Sequence, residues 1–354
     1  MKAVLLAALL AAPPAYAQQS PSFDSSTLIE EAITRVRAMA YRRDKVDWPV
    51  LEAKVRAEAA KARDPIDMLT AYETLLSGLG DGHSFVNVDA ERRAAFKARY
   101  GREFDSARVH KATLSKWYLR RSPDGFRHAI GGKFALRVIV PFVVGGGAPA
   151  RAYADKLYGN FTANPGACGY IVDIRGNAGG NAWAMLTGLT ALLGNGFGTP
   201  APGMAEAAMP FARIAGGKAI VNYGEHKDAA MFELAAWRPL PSLAKAPVAV
   251  LIDDIVGSSG EQTAIAFKGR SHTRFFGQQS YGVASENEGF VLPDETNLVV
   301  TTGMMRDRTG RIYPQGVPVD VQVMPGEGLA SDPDDAVVEA AKGWLARQRA
   351  CQRR

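Results

Sequence analysis

Apolar residues between positions 26 and 78 recur at three- and four-residue intervals in three blocks, each broken by a short polar stretch. That spacing lines one face of a helix. The first block, "STLIEEAITRVRAMA", predicts a helix with Thr27 as its N-cap and Glu30 three residues on, a capping-box pattern. The second, "DWPVLEAKVRAEAAKA", opens on Asp47 with Pro49 in the first turn. The third, "DPIDMLTAYETLLSGL", repeats the device with Asp64 and Pro65. A capping acid followed by proline starts a helix, because proline's missing N–H would be unsatisfied there anyway. Three short amphipathic helices predict a small bundle over residues 18–83. It ends in "GLGDGHSFVNV", a glycine-rich turn that delivers His83 to a short alternating strand.

The pattern then changes. Residues 90–133 are basic and mixed, with no clear period. "FALRVIVPFVV", 134–144, is a continuous apolar run and predicts a buried strand, interrupted at Pro141. "GGGAPARAYADKLYGNF" is a glycine loop leading into a helix. "GACGYIVDIRGNAGGNAWAMLTGLTALLG" and "APVAVLIDDIVGSSGEQTAIAFKG" each read as strand, glycine turn and helix. Residues 195–245 look like a long insertion with edge strands. "GFVLPDETNLVVTTGMMRDRTG" predicts a hairpin, and "DDAVVEAAKGWLARQ" a C-terminal helix. Repeated strand–turn–helix units predict an α/β domain over residues 84–354 behind the helical bundle.

The first seventeen residues stand apart from both. A short basic start, an apolar run from Ala3 to Ala12 and the closing "AYA" have the layout of a signal peptide cleaved after Ala17. The run is too short to span a bilayer, and no later segment is long and apolar enough to do so. Export, periplasmic or secreted, is the expectation. It makes a disulfide chemically accessible to Cys168 and Cys351, though two free thiols fit their spacing equally well. The net charge of +6 is spread along the chain without interleaved aromatics, so no nucleic-acid surface is expected. No His-Glu-x-x-His or Cys/His ligand spacing occurs, so neither a metal nor another cofactor is expected.

Three stretches could carry chemistry. In "VAVLIDDIVGSSGEQTA", Ser258 and Ser259 sit where a strand turns into a helix. Backbone N–H groups there can hold an oxyanion. A serine at that place can equally be an N-cap with no chemistry. In "DIRGNAGGN", Gly176, Gly179 and Gly180 would expose further amides after a buried strand. The Walker lysine and the dinucleotide glycine spacing are absent, which argues against a phosphate loop. Of five histidines, 83, 110, 128, 226 and 272, His83 stands out because a glycine turn presents it.

In this order the segments resemble the serine peptidases that include the tail-specific C-terminal-processing proteases, the tricorn core and the retinoid-binding repeats of the eye. "LLSGLGDGHSFV", "GYIVDIRGNAGG", "VAVLIDDIVGSSGEQTA", "FGQQSYG" and "GRIYPQGVPVDVQV" are similar to five successive motifs of that family. The resemblance implies a ClpP/crotonase-like α/β core and a serine endopeptidase acting on peptide or protein substrates. The family nucleophile lies three residues before a glutamate, here Glu261, which selects Ser258. Ser259 then supplies one oxyanion amide, and the Gly179–Gly180 amides the second. The tail-specific branch uses a lysine base, but Val283 stands at its position, and Lys268 is a poor substitute. The tricorn-like branch uses a histidine, which maps onto His83. An imidazole base implies a rate that rises through roughly pH 6 to 7.

Two departures concern the group that should orient His83. Gly82 replaces the family serine before the histidine, and Tyr313 replaces a glutamate. Tyr313 and Asp81 are the candidates to take over that role. Residues 84–133 are also too few for the PDZ module of the tail-specific branch. These departures leave an alternative: a weak or inactive relative that binds peptides or apolar ligands in the same cleft. Hydrolysis of non-peptide acyl substrates is a third reading.

Overall fold

The computed structural model describes residues 23–104, 122–194, 211–223, 226–324 and 335–352. The signal segment, His110 and residues 195–210 of the expected insertion lie outside them. Helices α1 (Ser25–Met39), α2 (Trp48–Ala59) and α3 (Pro65–Ser77) form the N-terminal bundle. Asp47 and Asp64 cap α2 and α3, accepting from Val50 N–H and from Ile66 and Asp67 N–H. The cap of α1 is Asp24, not Thr27. Its carboxylate accepts from Thr27 N–H at 3.0 Å and from the Thr27 hydroxyl at 2.6 Å. A charged acceptor one turn earlier satisfies the free amide and suits the positive helix end better than a hydroxyl does.

Strand β1 (Phe85–Asn87) follows, then α4 (Ala90–Tyr100), a helix in the segment without clear period. Next come β2 (Gly125–Ile130), β3 (Lys133–Ile139), α5 (Gly147–Ala163), β4 (Gly169–Asp173), α6 (Ala182–Gly188) and α7 (Thr190–Leu193). Strands β5 (Phe211–Ala215), β6 (Lys218–Tyr223) and β7 (His226–Glu233) make a separate antiparallel sheet. The chain then forms β8 (Val248–Ile252), α8 (Ser259–Ile265), β9 (Thr273–Gly277), β10 (Ser285–Val291), β11 (Asn297–Met304), β12 (Val321–Gln322) and α9 (Ala336–Ala346).

Six strands form the central sheet in the order β12-β9-β8-β4-β3-β2, parallel except for the β2–β3 hairpin. Strand β8 shows why its apolar run is unbroken. Val248, Val250 and Ile252 enter the core under α5 and α6, and Ala249 and Leu251 enter the core under α9. A strand covered on both faces needs apolar residues at every position. Because β4 and β8 are parallel neighbours, paired Tyr170 to Val248 and Asp173 to Leu251, their C-terminal turns open at the same end of the sheet. That end is where α/β sheets place their sites.

The hairpin β10–β11 leaves this sheet and pairs with β1, with Val86 opposite Leu298. Leu298 and Val300 complete the core of the helical bundle beside Val36, Leu69 and Leu75. The hairpin thereby ties the turn that carries His83 to the segment that follows α8.

Two devices fasten α9 across the sheet. Cys168 and Cys351 form a disulfide, which settles the cysteine question in favour of a bridge. Buried Arg175 binds Asp173 and also both oxygens of Asp335, the N-cap of α9, at 3.0 and 2.7 Å. Among the described residues no helix is long and apolar enough to cross a membrane. The bridge closes a separation of 183 residues. Replacing both cysteines by alanine is expected to lower the unfolding free energy by about 2–4 kcal/mol. Denaturant titration of oxidised wild type against the double variant checks this.

Candidate active site

Ser258 is the N-cap of α8, in the turn after β8, with φ +50° and ψ −123°. A non-glycine residue there is strained by about 1–3 kcal/mol, so the surroundings must hold it. They do so through Glu261. This fully buried carboxylate accepts from Ser258 N–H at 3.2 Å, the Ser280 hydroxyl at 2.5 Å, Gly282 N–H at 2.9 Å and Val283 N–H at 2.8 Å. Burial pushes the Glu261 carboxyl upward, and the four hydrogen bonds pull it back. The glutamate that marks the nucleophile register in the sequence is thus the clamp of the turn.

The glycine loop lies directly against this turn. A β-carbon on Gly179 would fall 2.9 Å from Ser258 Cβ and 3.3 Å from Ser258 Oγ, so only glycine fits. The Gly179 N–H donates to Asn177 Oδ1 at 2.9 Å, inside the loop. Gly180 is exposed, and its carbonyl accepts from the Ser259 hydroxyl at 2.8 Å. Of the two expected glycine donors, the Gly179 amide is thus engaged within the loop, while Gly180 is the exposed residue. Two unforeseen residues weld the loops together. Asn177 donates to Val140 O and accepts Gly257 N–H on its own carbonyl. Asp253 accepts from Gly176, Ile255 and Val256 N–H.

His83 lies in the turn just before β1. Gly80 and Gly82, both at positive φ, carry the chain from α3 to β1. Asp81 Oδ1 accepts from His83 N–H at 2.9 Å and Ser84 N–H at 2.8 Å, so this carboxylate shapes the turn and not the ring. The ring's Nδ1 lies 2.7 Å from Ser285 Oγ at the start of β10. Asn287, two residues on, donates to the His83 carbonyl at 3.2 Å. Ser285 N–H in turn bonds Val283 O. His83 and Ser258 are therefore both anchored to the segment 282–285, one through Ser285 and the other through Glu261. Burial pushes the imidazole down to about 4, with Asp81 acting weakly in the opposite direction.

Residues 148–323 match the model of Peptidase family S41. This segment is a Peptidase family S41 domain, and the chain is a serine-type peptidase. The chain is similar to the nisin-resistance protein of Lactococcus lactis subsp. lactis, 27% identical over 274 residues, 76% of this chain and 74% of that protein. Its fold is similar to a lipoprotein from Streptococcus agalactiae, TM-score 0.64 at 19% identity, with 93% of this chain and 98% of the other covered. It is also similar to the photosystem II D1 C-terminal processing protease, TM-score 0.52 at 14% identity, covering 93% and 99%. At these identities the structural likeness is one of fold.

At the family's lysine position, the Val283 side chain packs on the Ser258 turn, 3.4 Å from where a Gly257 β-carbon would be. Lys268 donates to Pro318 O at 2.7 Å and lies over the Phe275 ring, and burial pushes it down to about 8. The Tyr313 hydroxyl donates to Asp307 Oδ2 at 2.6 Å, so it braces a neighbouring turn and does not serve His83. Among the described residues no three of His, Cys, Asp and Glu converge as metal ligands would.

The clamp is open to test. In Glu261→Gln an amide nitrogen would face at least one of the four donors. Stability is expected to fall by about 1–3 kcal/mol, the cost of unpaired buried polar groups. Urea unfolding reads this directly, and unchanged stability would show that the carboxylate does not hold the turn.

Proposed function

We propose that this S41 peptidase hydrolyses peptide bonds through an acyl-enzyme on Ser258, with His83 as general base. The observation that carries this reading is the shared anchorage. Segment 282–285 binds the Ser258 turn through Glu261 and the His83 ring through Ser285. Ser258 is held in the strained conformation that an exposed nucleophile needs, and Val283 leaves the lysine position apolar.

With Nδ1 occupied by Ser285, Nε2 is the ring nitrogen left for chemistry. It takes the proton of Ser258 Oγ as that oxygen attacks the substrate carbonyl carbon. The negative carbonyl oxygen of the tetrahedral intermediate accepts from Gly180 N–H and Ser259 N–H. The imidazolium then gives its proton to the leaving amine as the C–N bond breaks, which leaves an ester on Ser258. A water, deprotonated by the same nitrogen, hydrolyses the ester and restores the serine.

Export, periplasmic or secreted, accompanies this reading. It is supported by the "AYA" signal layout, the Cys168–Cys351 bridge and the similarity to a lipoprotein.

A fluorophosphonate probe tests the pair. Wild type is expected to be modified on Ser258, while Ser258→Ala is expected to stay blank and His83→Ala to lose at least about 99% of the rate. Normal labelling of His83→Ala would remove the histidine from the mechanism, and an unlabelled wild type would support a non-catalytic binder.

The pH profile sharpens the test. A general base works when neutral, and burial holds His83 neutral down to about pH 4. The free-enzyme parameter kcat/KM is therefore expected to be level from about pH 5 to 8 and to fall through about pH 4, two units below the range expected of an ordinary imidazole. A midpoint near 6.5 would contradict the buried site, and one near 8 or above would indicate a lysine base.

A further inference from the structure

We infer that Ser285 is the positioning residue of the site: its hydroxyl holds Nδ1 of His83 and takes the place of the third, carboxylate member of a serine–histidine–acid triad. The inference rests on the Ser258–His83 reading above. It assigns the orienting role to a residue outside both positions, 82 and 313, where the sequence suggested one.

The geometry is that of a dedicated contact. Ser285 Oγ and His83 Nδ1 are 2.7 Å apart. Ser285 is 5% exposed, and the imidazole is the one partner its hydroxyl has among the described residues. A buried hydroxyl without a partner costs about 1–3 kcal/mol, so the pair is held together from both sides. The serine itself cannot drift. It opens β10 opposite Met304 of β11, and its N–H bonds Val283 O at 2.8 Å. Val283 N–H is on Glu261, as is Ser258 N–H. A displacement of the nucleophile turn is therefore passed to the base through Glu261, Val283 and Ser285 in turn.

The chemistry of a serine at this position is specific. Accepting from Nδ1–H, it leaves the Nε2 lone pair free for the nucleophile's proton. Being neutral, it orients the ring but supplies no charge to the imidazolium that forms during attack. Of the charged groups on the surrounding elements, Asp81 acts on the ring in favour of the imidazolium, against the larger effect of burial. Asp81, on the turn of His83 itself, is committed to the backbone amides of His83 and Ser84. Glu261 on α8 is committed to its four donors. On β10, Ser285 and Asn287, which contact His83, are neutral. A serine-held histidine should thus be well aimed but weakly basic.

The test uses the full exported chain and the rate of fluorophosphonate labelling from pH 3 to 9. Ser285→Ala is expected to lower the plateau rate by about tenfold or more, as an unaimed imidazole samples unproductive orientations. Ser285→Thr keeps the hydroxyl and is expected to stay within about threefold of wild type, since threonine suits a strand. Ser285→Asp places a charge beside Nδ1, so the acid midpoint is expected to rise by about one to three pH units. A residue that only stabilised the hairpin would change yield or melting temperature and leave that midpoint in place. A wild-type rate and midpoint in Ser285→Ala, or an unmoved midpoint in Ser285→Asp, would overturn the assignment. Ser258→Ala and His83→Ala run alongside. If both are blank while the Ser285 variants behave as wild type, the inference fails alone. If His83→Ala labels normally, the underlying mechanism fails instead.

Discussion

The site depends on one buried carboxylate. Glu261 is withdrawn from water at a cost of several kcal/mol. Four hydrogen bonds to an ionised acceptor, each worth about 1.5–3 kcal/mol, offset it. What matters is where the four donors come from. One is the amide of Ser258, and the others are Ser280, Gly282 and Val283 on the segment after β9. A single group thus joins the Ser258 turn to the segment that leads into β10. Ser280 extends the join to the late loop by accepting Val317 N–H at 2.6 Å. The positive φ of Ser258 is tolerable because this clamp opposes its relaxation.

The rest of the fold brings further pieces to that clamp. Parallel pairing of β4 and β8 sets the glycine loop beside the nucleophile turn, and Asn177 and Asp253 lock the two together. The hairpin β10–β11 buries Leu298 and Val300 in the helical bundle, and in doing so it brings Ser285 to His83. The N-terminal helices are therefore more than an appendage. Their packing against the hairpin sets the position of His83. The buried Arg175 performs a parallel task on the opposite face, where it fastens α9 to the strand that leads into the glycine loop.

What the sequence revealed and what it hid divide along physical lines. Continuous apolar runs, helical periods and acid–proline starts are local signals, and they located β3, β4, β8 and the bundle helices. Cap identity was less legible: Asp24 and Thr27 carry the same preference, and only the contact geometry chose Asp24. The glycine spacing of "DIRGNAGGN" marked an amide-rich loop, but not that Asn177 occupies the Gly179 N–H. Ser285 was invisible, because its partner lies 202 positions away and no motif encodes a side chain meeting across a hairpin. The resemblance pointed to positions 82 and 313 for the orienting group, whereas the contact on Nδ1 comes from a third element, the start of β10. Burial is also not written in the local sequence, and it moves the expected pH limb from the ordinary imidazole range to about 4.

The most direct measurement is a crystal structure of the phosphonylated protein. Phosphorus is expected on Ser258 Oγ, its non-bridging oxygen accepting from Gly180 N–H and Ser259 N–H, with His83 Nε2 facing the adduct and Nδ1 still on Ser285. An adduct on any other residue, or an oxygen turned away from both amides with His83 out of reach, would contradict the assignment of Ser258 as nucleophile and His83 as its base.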